Sequence, residues 1–78
     1  MKNSVLFTMP KYYVSIMQIR EIVDAQSPVD ACYIVSKKRS IISAGLSWKV
    51  SEVGFSEHEE DYHIPDLVIN KEIKKRES

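Results

Sequence analysis

Apolar and small or polar residues alternate over 42–51: Ile42, Ala44, Leu46, Trp48 and Val50 against Ser43, Gly45, Ser47, Lys49 and Ser51. A period of two is that of a strand with one buried face. The segment before it fits the same sheet. With residues 37–40 (KKRS) as a loop, Val35 faces Ile42, Tyr33 faces Ala44, Ala31 faces Leu46 and Val29 faces Trp48. All these pairs are apolar and share a face. The spacing therefore predicts an antiparallel hairpin over about 29–36 and 41–51. A rival reading makes Ser27 an N-cap, Pro28 the first residue of a helix and Gly45 its stop. KKRS also lacks the Gly or Asn that tight hairpin turns favour.

Upstream, Tyr12, Ile16, Ile19 and Val23 fall on one helical stripe, flanked by Tyr13 and Met17. This predicts a helix over about 11–25; the β-branched residues within it leave one long strand as the alternative. Residues 4–8 (SVLFT) read as a short strand, and the phase slip to Val53 and Phe55 marks a bulge or strand end near 51–52. Residues 56–61 read as a polar loop or a single helical turn, since Ser56 and Glu59 have capping-box spacing. A last strand is expected at 67–70, with Pro65 confining its start to an edge or strand end. The sum is an α+β fold: a small antiparallel sheet with one helix packed on it, in a single domain over 1–70, followed by a charged tail at 71–78. An all-β meander or small barrel is the alternative.

Composition supports strands: nine Ile, eight Val and four Tyr stand against three Ala and three Leu. Seventy-eight residues make one small core. A single cysteine, Cys32, excludes an internal disulfide and fits a reducing compartment. The apolar run from Val5 to Phe7 is too short for a signal-peptide core, so a cytoplasmic protein is expected, with no membrane association. "AGLS…VSEV" partly resembles a helix-turn-helix over about ten residues, but its alternation leaves no helical stripe to bury.

Charge sums to zero yet is unevenly placed: +4 over residues 1–50, −6 over 51–70 and +2 over 71–78. A bipolar surface suits protein partners or self-association, so a homodimer is a further candidate. Glu57, Glu59, Glu60 and Asp61 are the expected contacts, fitting a partner with a basic groove. Lys37, Lys38 and Arg39, in the hairpin loop, with Lys74, Lys75 and Arg76 in the tail, are the alternative nucleic-acid contacts. His58 and His63 are five apart, which is unspecific for metal, and no metal or other cofactor is expected. Cys32 lacks a sequence-implied base and reads as an inert thiol on the face opposite the core, beside Ile34, Ser43, Gly45 and Ser47. No glycine-rich phosphate loop or nucleophile elbow is present. The expectation is a non-catalytic module that regulates or inhibits a protein partner, a profile common among small proteins of bacteria and their phages. The alternative is a small nucleic-acid-binding protein using the basic loop and tail.

Overall fold

The computed structural model describes residues 9–41 and 47–77. Along these it runs β1 (Lys11–Ile16), β2 (Ile19–Asp24), α1 (Pro28–Arg39), β3 (Ser47–Ser51), β4 (Tyr62–Pro65) and α2 (Asp66–Glu77). The strands form one antiparallel sheet in the order β2-β1-β3-β4. The sheet is open, so the fold is α+β and not a barrel.

Two expected elements exchange their types. Residues 11–24 are a hairpin, not a helix, with Ile16 opposite Ile19 and Tyr12 opposite Val23. The two-residue turn, Met17 and Gln18, inverts the parity of the inward positions. Even residues face the core on β1 and odd residues on β2. The set Tyr12, Ile16, Ile19 and Val23 therefore satisfies a helical stripe and a hairpin face equally well. Val14, fully buried, belongs only to the hairpin face. Met17 makes the turn at φ 55°, a left-handed conformation that carried no Gly or Asn signal.

Residues 28–39 are a helix, so the hairpin expected over 29–36 and 41–51 does not form. Its start follows the rival reading. The Ser27 side chain accepts from the Asp30 N–H at 3.1 Å, Pro28 opens the helix, and the Asp30 carboxylate accepts from the Gln26 N–H at 3.0 Å. Its end does not: Ser40, in the left-handed region at φ 53°, caps it, and the Ile41 N–H donates to the Ser36 carbonyl at 3.0 Å. Gly45 lies outside the described residues, as do the strand expected at 4–8 and the alternation at 42–46.

The later half of that alternation is β3, with Trp48 and Val50 buried, and its ladder partners are β1 and β4. The strand ends at Ser51, where the phase slips. Residues 67–70 are helical rather than a strand. Pro65 closes β4, and α2 then buries Ile69 and half-buries Ile73, one turn apart. Residues 71–77, expected as a tail, continue this helix.

The helices cover one face of the sheet. α1 touches β1, β2 and β3, while α2 touches β4 and α1. Between them lie Tyr12, Val14, Ile16, Ala31, Cys32, Val35, Trp48, Val50, Ile64 and Ile69. The Trp48 indole N–H donates to the Asp66 carboxylate at 2.8 Å, tying the sheet to the first turn of α2. Cys32 is in this core and not on an outer face; burial pushes its thiol up to about 12, which keeps it protonated. Ile34 packs partly against the same core, so these two residues do not form the outward surface expected of them.

Candidate functional site

The loop between β3 and β4, residues 52–61, carries the acidic segment, and its shape is fixed from inside. The Ser51 hydroxyl accepts from the Val53 and Gly54 N–H groups at 3.1 and 3.3 Å, turning the chain as it leaves β3. The Lys49 ammonium donates to the Phe55 carbonyl at 2.9 Å. The Phe55 ring meets Tyr13 edge-on, with centroids 5.2 Å apart, covering part of the sheet face away from the helices.

Asp61 closes the loop. Its carboxylate accepts from the His58 N–H at 3.0 Å and lies 3.9 Å from the Lys49 ammonium, and its side chain is 1% exposed. The Asp61 N–H donates to the His58 carbonyl at 3.2 Å. Burial pushes this carboxyl up, but the His58 N–H, the Ser51 hydroxyl and the nearby His58 and Lys49 charges outweigh it and hold the group below its ordinary value. Asp61 is therefore an internal brace, its carboxylate engaged by its own chain.

Glu57, Glu59 and Glu60 point the other way and are exposed. Glu52 is exposed too and accepts from the Tyr62 hydroxyl at 3.0 Å. That hydrogen bond and the Glu52 charge raise the Tyr62 phenol above its ordinary value. A cleft of about 250 Å³ lies between the two ends of the loop, lined by Ser51, Glu52, Val53, Glu60, Asp61 and Tyr62. Val53 is 63% exposed and Tyr62 42%, so the rim is apolar beside carboxylates. Of the cleft's residues the sequence reading names Glu60 and Asp61 and misses Glu52, Val53 and Tyr62. Only the closeness of the loop's ends, a property of the β3–β4 pairing, brings them in.

The basic residues are placed differently. Lys37, Lys38 and Arg39 form the last turn of α1, where cations suit the helix dipole, and not the tip of a hairpin loop. Lys38 and Arg39 both bind Glu21 on β2, Lys38 at 3.0 Å, and Lys37 binds Glu77 at 2.5 Å. The Lys38 and Arg39 hydrogen bonds lower the Glu21 carboxyl from its ordinary value. Arg76 binds Asp30 at 2.7 Å and Glu72 at 2.6 Å, with its guanidinium 4.4 Å from the centre of the Tyr33 ring. Lys37, Lys38, Arg39 and Arg76 thus face carboxylates of their own chain; Lys74 and Lys75 are exposed.

His63 lies exposed on β4, while His58 Nδ1 sits 3.7 Å from an Asp61 oxygen, beyond hydrogen-bond distance. Among the described residues no three His, Cys, Asp or Glu side chains gather to hold a metal ion. Nor, among them, is any helix long and apolar enough to cross a membrane. Comparison with protein-family models, with curated proteins and with solved structures gave no match.

Proposed function

We propose that this chain is a non-catalytic binding module that regulates or inhibits a protein partner through its 52–61 loop and the adjoining Tyr62. The observation that carries the reading is the division of labour within the loop. Asp61, Ser51 and Lys49 hold the backbone from inside, while Glu52, Glu57, Glu59 and Glu60 stay exposed beside Val53 and Tyr62. A braced loop loses little conformational entropy on binding. Carboxylates next to an exposed tyrosine and an aliphatic side chain complement a basic groove with an apolar floor. The same surface supports a reading of regulation or inhibition. Among the described residues its titratable groups are carboxylates, the Tyr62 phenol and His58, and the Ser51 hydroxyl is engaged by the loop backbone and by Asp61.

The test is capture of partners from a native lysate of the source cells, with and without nuclease. It uses the wild-type chain and a Glu57→Ser, Glu59→Ser, Glu60→Ser variant whose fold is checked by circular dichroism. A nuclease-resistant protein held by the wild type and lost by the variant supports the proposal. Recovery of nucleic acid by both overturns it.

A further inference from the structure

The sheet has one long edge that no described strand covers. β2 is the terminal strand, paired only with β1. The Ala25 N–H donates to the Pro10 carbonyl at 3.1 Å, which fixes the ladder's phase. In an antiparallel ladder, bonded and non-bonded positions alternate. Ile19, Glu21 and Val23 therefore turn their backbone groups toward β1, and Arg20, Ile22 and Asp24 turn theirs toward the open edge. The side chains of these three residues also share the sheet face away from the helices, and Ile22 is 50% exposed.

The sequence of this edge complements itself. Arg20 and Asp24 stand at equal distances on either side of Ile22. In an antiparallel pairing of two copies centred on Ile22, each Arg20 faces the other copy's Asp24, and the two Ile22 side chains meet at the axis. Every outward backbone donor and acceptor of the three residues finds a partner in that register. Edge strands often carry charge to prevent such pairing. Charges of one sign would do that; opposite signs placed symmetrically about an exposed isoleucine attract instead. Arg20 uses one guanidinium nitrogen to bind the Met17 and Ile19 carbonyls at the hairpin turn, each at 3.0 Å. Asp24 has Lys11 opposite it on β1, and on the helix-covered face Glu21 keeps its bonds to Lys38 and Arg39.

We propose that β2 is the interface of a two-fold symmetric homodimer, formed by antiparallel pairing of the β2 strands of two copies about Ile22. The sheets join into one, running β4-β3-β1-β2 in one copy and β2-β1-β3-β4 in the other. The acidic loops, attached to β3 and β4, lie away from the junction. Pairing one short strand buries less than about 1,200 Å², the range of weak complexes, so the dimer is concentration-dependent.

Sedimentation of the full chain over a range of concentrations tests this. The wild-type mass rises from 9.0 kDa toward about twice that value. Asp24→Arg sets two arginines against each other at both ends and weakens dimerisation about tenfold or more. Combining it with Arg20→Asp exchanges the charges and restores the dimer. Ile22→Lys, at a half-exposed site that leaves the Arg20 turn bonds alone, gives a folded monomer. A wild type that stays at monomer mass overturns the proposal. So does a dimer that persists in Asp24→Arg or Ile22→Lys.

Discussion

The acidic loop and the basic ends of the two helices look alike in sequence, as short runs of one sign, yet the fold treats them oppositely. Around the helix ends, carboxylates meet the cations: Glu21 from β2 and Glu77 from α2 on the α1 cations, and Asp30 from the start of α1 with Glu72 of the same helix on Arg76 of α2. In the loop, one acid in the run turns inward and the rest stay out. A charge run marks a binding surface only where the fold brings no opposite charge to it. These exposed ion pairs contribute little stability each. What they do is set the chain's own carboxylates against Lys37, Lys38, Arg39 and Arg76.

The largest expected effect breaks the helix side of this contrast. Ile69→Ala removes the fully buried anchor of α2 and is expected to cost about 2–5 kcal/mol in urea unfolding. With α2 loosened, Lys37 loses Glu77 and Arg76 loses Asp30. The variant should then bind nucleic acid more tightly than the wild type and in a salt-sensitive way, read by filter binding at two salt concentrations.

Next is Trp48→Phe. It keeps most of the ring but deletes the donor to Asp66, at an expected cost of about 1–3 kcal/mol by chemical denaturation. A loss below that range would mean that the Asp66 carboxylate is satisfied equally well without the indole.

The acid limb of stability sharpens the difference within the loop. Glu21, Asp30 and Asp61 are all lowered by folding, so they bind protons less readily in the native state. Their contribution is fully present above the ordinary carboxylate range and is lost as pH falls through the lowered native values. Asp61→Asn should therefore lower the melting temperature at neutral pH and make the acid-side decline shallower. An unchanged pH profile would show that Asp61 does not brace the loop as a carboxylate.

The smallest effect is expected from the outward acids. Changing Glu57, Glu59 and Glu60 together to Ser should move neutral-pH stability by no more than about 0.5 kcal/mol. A larger loss would place these side chains in the structure of the loop rather than on its surface.

The fold class was legible, but much of the element order was not. β3 was readable because Trp48 and Val50 alternate with polar neighbours on a strand covered on one face. The first hairpin was hidden by its two-residue turn, whose parity inversion puts the same residues on a helical stripe. Val14, and the β-branched content of 11–25, were the signals against the helix. α1 was announced by Ser27, Pro28 and Asp30, and lost to a pairing argument that any two apolar stretches with matching parity can satisfy. For α2, Pro65 followed by Asp66 is a helix start as much as a strand edge, and the Ile69–Ile73 spacing decides between them. At the site, the acids were visible as composition. That Asp61 faces inward while its neighbours face out depends on Lys49 and Ser51 in β3, distant enough in sequence to leave no local mark.

The most direct measurement of the central claim is a side-by-side capture from one lysate. The acidic variant of the loop is run against a variant in which Lys37, Lys38, Arg39 and Lys74 are changed to Ser. The account predicts that the cationic variant keeps the nuclease-resistant partner and the acidic variant loses it. A partner kept by the acidic variant and lost by the cationic one would contradict the account and move the binding surface to the helix ends.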